Sequence, residues 1–219
     1  MVFRRRAMRW VIGVDEVGRG ALAGPVTVAA AAFAVDVYGS ALYAPFRTLK
    51  DSKKLSAQQR EFWAKELANS ATVRFAIARV YPRGIERLNI SAAANRAAQT
   101  AFLRLLKRYN MPASTAIFLD GGLYLGSKIR QEKDVAEANI KAKTVIKGDE
   151  KIPAVAAASI IAKVSRDGFM RRLAKRYPEY GFEVHKGYGT AAHLRAIKKN
   201  GPCAAHRLTF LVKHPKMRK

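Results

Sequence analysis

Two apolar runs joined by a glycine-rich turn open the chain and restrict its fold more than any other feature of the sequence. Residues 10–14 form the first run, which ends in Asp15 and Glu16, and residues 25–35 form the second. Short apolar runs bounded by glycines are typical of buried strands. Because side chains alternate along a strand, the two carboxylates can share one site only if the first strand ends at Asp15. The sequence therefore predicts a strand, a turn and a second strand, with an acidic pair at the edge of a buried sheet.

The remainder of the chain alternates between strand-like and helix-like patterns. Further strands are predicted at residues 72–81, 115–119 and 141–147, and helices at 56–69, at 82–84 as a short turn, from 91, at 153–164 and at 190–199. The expected N-caps are Ser56, Ser91 and Thr190. The expected core residues of the first helix are Phe62, Trp63 and Leu67. Residues 122–139 are interpreted as an exposed excursion and residues 177–190 as a loop. Five strands with interleaved helices predict the α/β class, with a mixed five-stranded sheet flanked by helices.

Net charge is the strongest bulk feature, because 41 Lys and Arg residues oppose 16 Asp and Glu residues and give a formal charge of +25 at pH 7. Such an excess indicates a polyanionic partner, since binding to phosphates releases condensed counterions. Nucleic acid is the first candidate. A membrane surface also fits the charge, but no predicted helix combines a basic face with a large apolar face, so we expect no membrane partner.

Chain length and cysteine content set the remaining bulk expectations. The 219 residues predict a single domain, with residues 1–9 as a basic N-terminal arm. The longest apolar run, residues 26–35, is far shorter than the roughly 20 residues that span a bilayer. The lone cysteine, Cys203, cannot form an internal disulfide, which indicates a reducing compartment. We therefore expect a cytoplasmic protein and, by default, a monomer.

Two more aspartates extend the acidic pair into a candidate metal site. Asp120 follows a predicted strand and precedes two glycines, and Asp167 lies where an apolar helix becomes polar. Each acid also has a simpler interpretation, which is a solvated turn for the first three and an ion pair with Arg166 for Asp167. Carboxylates that converge in a basic chain repel one another, and bound Mg²⁺ or Mn²⁺ relieves that repulsion. Two such ions about 4 Å apart can clamp the attacking and leaving oxygens of a phosphodiester.

Seven stretches occur in an order that matches a known family. They are Gly13-Val14-Asp15-Glu16-Val17-Gly18-Arg19-Gly20 with Leu22-Ala23-Gly24-Pro25, Asp51-Ser52-Lys53-Lys54-Leu55, Asp120-Gly121, Lys147-Gly148-Asp149, Ala157-Ala158-Ser159-Ile160-Ile161-Ala162-Lys163-Val164 with Arg166-Asp167, His185-Lys186-Gly187-Tyr188-Gly189-Thr190, and Gly201-Pro202 with His206-Arg207. In this order, over about residues 10–210, the chain resembles the type 2 ribonuclease H family, whose bacterial form is ribonuclease HII. Each stretch alone is common, but the ordered set is specific.

The resemblance implies roles for individual residues. The implied catalytic metal ligands, which would hold two Mg²⁺ or Mn²⁺ ions, are Asp15, Glu16, Asp120 and Asp167. The turn formed by Gly18, Arg19 and Gly20 would contact the 2′-hydroxyl and the backbone at an RNA/DNA junction, because closely approaching backbone groups can recognise a ribose without reading the base. Tyr188 would stack on the sugar that follows the ribonucleotide and require that it be a deoxyribose. The side chains implied to neutralise phosphates are Lys53, Lys186 and Arg19.

The resemblance also implies a fold and an activity. The fold would be ribonuclease H-like, with residues 178–219 as a helical C-terminal segment that binds the substrate. The activity would be endonucleolytic hydrolysis of the RNA strand of RNA/DNA hybrids, and incision 5′ of single ribonucleotides in duplex DNA. Such an enzyme would serve ribonucleotide excision repair and DNA replication, and would leave 5′-phosphate and 3′-hydroxyl ends. The alternatives are a type 3 ribonuclease H-like activity and a non-catalytic, basic nucleic-acid-binding protein.

Some positions depart from the family pattern or gain no catalytic role from it. Residues 122–139 are longer than the corresponding segment of common bacterial forms, and Cys203-Ala204-Ala205 replaces a more usual stretch. The tail to Lys219 shows no aromatic clamp-binding motif, so no sliding-clamp partner is expected. The histidines expected at the surface are His193 and His214, and the residues expected to hold the C-terminal helix in place are His206 and Arg207.

Overall fold

The computed structural model describes residues 10–34, 46, 49, 52–111, 116–126 and 142–217 of the chain. Within these ranges the strands are β1 (Trp10–Val17), β2 (Val26–Ala34), β3 (Val73–Val80), β4 (Ala116–Asp120) and β5 (Ala142–Val145). The helices are α1 (Ala57–Asn69), α2 (Pro82–Leu88), α3 (Ile90–Tyr109), α4 (Gly148–Lys151), α5 (Pro153–Arg176), α6 (Phe182–His185), α7 (Ala191–Asn200) and α8 (Leu208–Lys213). Short 3₁₀ helices occupy Ser52–Lys54, Pro178–Tyr180 and Pro215–Met217. The predicted basic arm and most of the predicted excursion lie outside the described residues.

The five strands form one mixed sheet in the order β3-β2-β1-β4-β5. Strand β1 pairs antiparallel with β2, and β2 pairs antiparallel with β3. On the other side of β1, strands β4 and β5 continue the sheet in parallel. Antiparallel neighbours can be joined by tight turns, whereas parallel neighbours need long crossovers. The predicted α/β class, with a mixed five-stranded sheet flanked by helices, is confirmed.

Strand β1 continues past the acidic pair, so the prediction that it ends at Asp15 is wrong. Its pairing with β2 runs through Glu16 opposite Val28 and ends with Val17 opposite Thr27. The antiparallel partner keeps supplying backbone hydrogen bonds beyond the carboxylates, and this extends the strand. Asp15 and Glu16 therefore point to opposite faces of the sheet.

The parallel pairing of β1 with β4 sets the position of the third acid. Val14 lies opposite Leu119 in the last registered pair, so Asp15 and Asp120 follow at equivalent positions. Residues at equivalent positions of neighbouring strands lie side by side on one face of the sheet. The sheet thus brings Asp15 and Asp120 to the same edge and the same face.

Helices cover both faces of the sheet. On one face, α3 approaches β2 and β3 through a row of buried small side chains, which are Ala93, Ala94, Ala97, Ala98 and Ala101. On the other face, α5 packs on β1 and β2, with α1 beside it. Gly13 permits this contact, because a Cβ atom there would lie 2.1 Å from the carbonyl carbon of Ala154. The start of α5 is therefore pressed against the strand that carries Asp15.

A separate hydrophobic cluster joins the end of α5 to the C-terminal part of the chain. Its buried members are Leu22, Ala23, Met170, Ala174, Tyr180, Phe182, Leu194, Ile197, Ala205 and Leu211. Leu22 and Ala23 belong to the turn between β1 and β2. The C-terminal helices therefore pack directly against the turn that follows the acidic pair.

The structure confirms some predicted helix boundaries and corrects others. The Ser56 N-cap is confirmed by a complete capping box with Gln59. Helix α3 begins after Asn89 and not after Ser91, because the Asn89 side chain accepts a hydrogen bond from the backbone nitrogen of Ala92 at 3.0 Å. The predicted loop at residues 177–190 contains a 3₁₀ helix and α6, and α8 was not predicted.

The predicted core of α1 is correct in part. Leu67 is fully buried and Trp63 packs against the hydrophobic core between the sheet and α5, but Phe62 is 57% exposed. Positions 63 and 67 share one face of a helix, whereas position 62 is rotated by about 100° from its neighbour. In the part of the chain that the structure describes, none of the helices has the length and hydropathy needed to cross a bilayer.

Candidate active site

Asp15 is a buried carboxylate on the face of β1 that α5 covers. It is 5% exposed, and its Oδ1 atom accepts a hydrogen bond from the backbone nitrogen of Glu16 at 2.7 Å. Burial raises the pKa of Asp15 well above its usual value; a hydrogen bond from Ser159 opposes this rise, and the charges of Glu16 and Asp120 add to it. The carboxylate is therefore charged at a cost in free energy that a nearby cation would offset.

Glu16 lies on the other face of β1 and keeps one oxygen without a partner. Its Oε1 atom accepts a hydrogen bond from Nη1 of Arg19 at 3.0 Å. Its Oε2 atom is buried and has no hydrogen-bond partner among the described residues. Burial raises the pKa of Glu16, the charge of Arg19 lowers it, and the charge of Asp120 raises it again. Because a buried acceptor without a donor is costly, Oε2 marks a place where a cation would stabilise the site.

Asp120 ends β4 and is held by the start of α4, which also carries a fourth acid. The Oδ1 atom of Asp120 accepts a hydrogen bond from the backbone nitrogen of Gly148 at 2.8 Å. The next residue, Asp149, is 2% exposed, and its Oδ2 atom lies 3.3 Å from Nζ of Lys53. The charge of Lys53 also lowers the pKa of Glu16. Helix α4 thus places Asp149 beside the acids at the strand ends.

Asp149 received no role in the sequence interpretation, although it belongs to a stretch on which the resemblance depends. The available signal was its position two residues after the predicted fifth strand, similar to that of Asp120 directly after the fourth. Its burial could not be read from the sequence, because it depends on α4 packing against β4 and α5.

Asp167 occupies a different position, farther along α5. Its Oδ1 atom accepts a hydrogen bond from Nζ of Lys163 at 3.0 Å. Burial lowers the pKa of Lys186, and the charge of Asp167 opposes that shift. Ser159, Lys163 and Asp167 recur at four-residue intervals, so Asp167 lies roughly 12 Å along the helix axis from Ser159, which bonds to Asp15. The role of Asp167 as a metal ligand stays a prediction.

The donor atoms of the acidic site fit a divalent cation, although their present rotamers do not form a finished cage. In the described ranges, no three Asp, Glu, His or Cys side chains are arranged so that they could hold a metal ion together. Mg²⁺ and Mn²⁺ prefer carboxylate oxygens, and the partnerless Oε2 atom of Glu16 and the raised pKa of Asp15 are what such an ion would relieve. Although Asp15 and Glu16 leave opposite faces of β1, the charge of Asp120 raises the pKa of both, so the three carboxylates lie near one another. They could therefore hold a cation after rotations of their side chains.

Two buried arginines shape the glycine-rich turn between β1 and β2. Arg166 and Arg207 are both 0% exposed. Arg207 donates hydrogen bonds of 2.8–3.0 Å to the carbonyl oxygens of Gly18, Arg19 and Gly24. Arg166 donates hydrogen bonds of 2.9–3.0 Å to the carbonyl oxygens of Ala23, Pro25 and Lys186. Burial lowers the pKa of Arg207 to about 9 and also lowers that of Arg166. The carbonyls of the turn face these guanidinium groups, so its backbone is fixed from within the protein.

The turn has one crowded glycine and one open glycine. Gly18 has a φ of 86°, and a Cβ atom there would lie 2.1 Å from Nε of Arg166. A Cβ atom at Gly20 would have no atom within 4 Å. The backbone at Gly20 is therefore the part of the turn that a ligand can approach.

The segment that carries Tyr188 lies directly against this turn. The carbonyl oxygen of Gly187 accepts hydrogen bonds from the backbone nitrogens of Leu22 at 2.8 Å and Ala23 at 3.2 Å. The centre of the Tyr188 ring lies 5.4 Å from the guanidinium carbon of Arg166. The structure thus brings the turn implied to sense ribose next to the tyrosine implied to stack on the following sugar.

The two lysines implied to bind phosphate have different surroundings. Lys53 is exposed and pairs with Asp149. Lys186 is half-buried, and its Nζ atom donates a hydrogen bond to the carbonyl oxygen of Glu183. Their contact with a phosphate stays a prediction.

Known proteins resemble this chain in sequence and in fold. The family model described as Ribonuclease HII matches residues 12–214. Ribonuclease HII of Nitratidesulfovibrio vulgaris is 44% identical over 198 residues, which are 90% of this chain and 84% of that protein. The structure of the PCNA:RNase HII complex from Archaeoglobus fulgidus matches with a TM-score of 0.64 and 26% identity, over 92% of this chain and 94% of that one. The structure of Bst-RNase HIII in complex with Mn²⁺ matches with a TM-score of 0.65 and 22% identity, over 90% of this chain and 64% of that one, and supports the fold alone.

The mixed sheet with acids at its parallel edge, together with these structural matches, defines the class: this is a protein of the ribonuclease H-like fold. The family model and the relative that is 44% identical narrow the assignment. The chain belongs to the ribonuclease HII family and is a ribonuclease H enzyme.

Proposed function

We propose that this enzyme is an endonuclease that hydrolyses the RNA strand of RNA/DNA hybrids and cuts 5′ of single ribonucleotides embedded in duplex DNA. Family membership supports the hybrid-cleaving activity. One observation supports the specificity for single ribonucleotides. Strand β1 runs from Asp15 and Glu16 directly into the anchored turn at Gly18, beside Asp120. Acids suited to metal ions and a backbone suited to ribose recognition are thus part of one continuous segment.

The acidic site would act through divalent ions. Two bound Mg²⁺ or Mn²⁺ ions would supply an activated water for in-line attack and stabilise the leaving oxygen, which gives 5′-phosphate and 3′-hydroxyl ends. Asp15, Glu16 and Asp120 hold the ions, and Arg19 keeps Oε1 of Glu16 in place through its 3.0 Å hydrogen bond. The partnerless Oε2 atom of Glu16 and the raised pKa of Asp15 support a divalent cofactor.

Ribose recognition is assigned to the turn and to Tyr188. The carbonyls of the turn are engaged by Arg166 and Arg207, so its open side near Gly20 can approach a nucleotide closely enough to contact a 2′-hydroxyl. Tyr188, fixed beside the same turn, stacks on the next sugar and favours a deoxyribose there. Lys53, Lys186 and Arg19 neutralise neighbouring phosphates.

The identity of the fourth acid is a separate question. The resemblance implies Asp167, but the position of Asp149 favours that residue, because it is 2% exposed and follows the glycine that binds Asp120. We propose that Asp149 completes the acidic site and that Asp167 orders Lys163 and Lys186 for phosphate binding.

The proposal also covers the domain organisation, the oligomeric state and the cellular location. We propose that the chain acts as a single domain and a monomer and that residues 178–219 close over the duplex. A substrate of chromosomal origin, together with the lone Cys203, fits the reducing cytoplasm.

The activity is tested with a DNA duplex that contains one ribonucleotide, incubated with Mg²⁺ or Mn²⁺. Asp120→Asn should reduce cleavage by at least about a hundredfold, yet keep or improve duplex binding, since it removes a negative charge and keeps the acceptor for Gly148. Glu61→Gln, at the exposed carboxylate that pairs with Arg171 at 3.0 Å, is the matched control and should cut like the parent. A parent that binds the duplex but cuts under neither ion is a non-catalytic binding protein, and the proposal is then wrong.

The fourth acid is tested by comparing Asp149→Asn with Asp167→Asn in the same assay. We expect a loss of about a hundredfold for the first, because it removes a metal ligand, and less than about tenfold for the second. A larger loss of cleavage for Asp167→Asn than for Asp149→Asn would identify Asp167 as the fourth metal ligand.

A further inference from the structure

Three histidines form a connected cluster beneath the segment that carries Tyr188. They are His185 on α6, His193 on α7 and His206 before α8, and their exposures are 9%, 0% and 3%. The burial of His193 contradicts the prediction that it lies at the surface. The rings of His185 and His193 stack with centres 4.2 Å apart, and those of His193 and His206 with centres 5.2 Å apart.

The hydrogen bonds of this cluster determine which ring nitrogens carry protons. Nδ1 of His193 lies 2.9 Å from the carbonyl oxygen of Tyr188, which can only accept, so Nδ1 is the protonated nitrogen. Nε2 of His193 is then an acceptor, and Nε2 of His206, 3.1 Å away, must donate to it. Because Nε2 of His206 carries the proton, its Nδ1 accepts from the backbone nitrogen of Cys203 at 3.0 Å, and this contact is shorter than the 3.3 Å distance from Nδ1 to the carbonyl oxygen of Cys203. All donors in this chain point the same way, from Cys203 towards Tyr188.

His185 forms hydrogen bonds on the other side of the same segment. Its Nε2 atom lies 2.7 Å from the carbonyl oxygen of Tyr180 and therefore donates, which leaves Nδ1 as the acceptor for the backbone nitrogen of Gly187 at 3.1 Å. The peptide backbone of Gly187 and Tyr188 is thus held at both ends, by an acceptor on His185 and a donor on His193. Gly187 also bonds to the turn through Leu22.

The surroundings keep this arrangement in its neutral form. The faces and edges of Tyr180 and Phe182 pack on the histidine rings with centres 4.9–6.0 Å apart. Burial lowers the pKa of His193 to about 4 and also lowers that of His206. A proton on Nε2 of His193 would place two N–H groups face to face across the 3.1 Å contact. A proton on Nδ1 of His206 would instead oppose the backbone N–H of Cys203 at 3.0 Å.

We propose that His193 and His206, together with His185, are positioning residues that fix Tyr188 relative to the glycine-rich turn and thereby set the preference for a ribonucleotide followed by a deoxyribonucleotide. The inference rests on the proposed function, since it assigns Tyr188 to the sugar after the ribonucleotide. The histidines touch neither the substrate nor the acids, and act only through the backbone of Gly187 and Tyr188 and the turn bonded to it.

The test measures kcat/KM for two substrates, a DNA duplex with one ribonucleotide and a continuous RNA/DNA hybrid, and takes their ratio. His193→Leu should lower this ratio by about tenfold, and Tyr188→Ala should lower it by a similar factor. The double variant should lower it no further, because both changes remove the same contact. His193→Asn, whose amide nitrogen can replace Nδ1 as the donor to Tyr188, should recover most of the ratio.

A matched control separates positioning from general destabilisation. Leu194→Ala removes a buried side chain that lies on the same helix as His193 and belongs to the hydrophobic cluster around Tyr180 and Phe182. It removes none of the hydrogen bonds that link the histidines. It should lower the Tm as His193→Leu does and keep the substrate ratio. If Leu194→Ala lowers the ratio equally, or if the effects of His193→Leu and Tyr188→Ala simply add, the positioning role is overturned.

A measurement on the unaltered protein tests the proton positions without any variant. Nitrogen-15 NMR of the full chain at pH 7 should show a proton on Nδ1 of His193, and on Nε2 of both His206 and His185. Any other pattern overturns the inference even if the enzyme cuts normally. A parent that cuts neither substrate refutes the proposed function instead, and the two failures are thereby distinguished.

Discussion

At the scale of single residues, glycines divide into those that the packing requires and those that the substrate requires. At Gly13, a Cβ atom would lie 2.1–2.3 Å from backbone atoms of Ala154 and Val155, and backbone atoms cannot move aside. At Gly20, the space around a Cβ atom is open. The two glycines lie seven positions apart along the chain, and only the structure shows that they serve different purposes.

Alanine at Gly13 should therefore lower the stability of the fold, whereas alanine at Gly20 should lower the activity. Gly13→Ala should lower the free energy of unfolding by about 3 kcal/mol or more, because it forces α5 away from β1. Gly20→Ala should change it by less than about 0.5 kcal/mol, yet slow cleavage of a duplex with one ribonucleotide, because the methyl group stands where the sugar approaches. Urea denaturation and initial rates measure the two quantities. Equal stability losses would contradict the packing argument.

At the scale of elements, the C-terminal helices are held by polar groups as well as by apolar packing. Helix α6 has 4 residues and α7 has 10, lengths at which isolated helices are unstable in water. Arg166 reaches the carbonyl oxygen of Lys186 at 2.9 Å, and the histidine chain holds the residues that follow. The order of this segment therefore depends on the protonation of its histidines.

The stability of the enzyme should accordingly have a component that is lost in mild acid. Burial, together with the neighbouring His185 and His206 rings, lowers the pKa of His193 from 6.5 to about 4 in the folded chain. The unfolded chain therefore takes up the proton first, and the contribution is complete above pH 6.5 and is lost as the pH falls towards 4. This contribution to the free energy of unfolding is up to about 3 kcal/mol.

The measurement is the difference in unfolding free energy between the parent and His193→Asn, which does not titrate, at several pH values. The difference is needed because the raised pKa values of Asp15 and Glu16 act in the opposite direction, since their ionisation on raising the pH destabilises the fold. We expect the advantage of the parent to shrink from pH 7 to pH 4. An advantage that is constant across this range would show that His193 is not titrating as described.

At the scale of the whole molecule, a small acidic site lies within a strongly basic chain. The formal charge of +25 attracts the phosphates of a duplex over a wide surface. The acids then need bound cations both to relieve their own repulsion and to tolerate the incoming phosphate. The net positive charge therefore determines how tightly the duplex binds, whereas the acids at the strand ends determine whether it is cut.

Duplex binding by Asp120→Asn should accordingly depend steeply on salt. If six or more phosphates are contacted, the affinity should fall about a thousandfold or more between about 50 and 200 mM monovalent salt. A continuous RNA/DNA hybrid and a DNA duplex with one ribonucleotide should show similar slopes, because the electrostatic part of binding does not read sugars. Fluorescence anisotropy across a salt series measures both slopes. A slope near zero would contradict phosphate-driven binding.

The sequence by itself determined the features that depend on neighbours along the chain. The alternation of apolar runs and turns predicted the α/β class, the Ser56 cap predicted the start of α1, and Asp120 was predicted at the end of a strand. These features follow from local hydrogen bonding and side-chain periodicity, which short stretches of sequence encode.

Only the tertiary structure decided the features that depend on distant contacts. Arg207 and the carbonyl oxygen of Gly18 are separated by 189 positions, yet they are 2.8 Å apart. The burial of His193 and of Asp149 likewise follows from helices that pack onto elements far away in the chain. A charged or polar side chain looks the same in a sequence whether it is solvated or enclosed, because its environment is created only when the elements pack together.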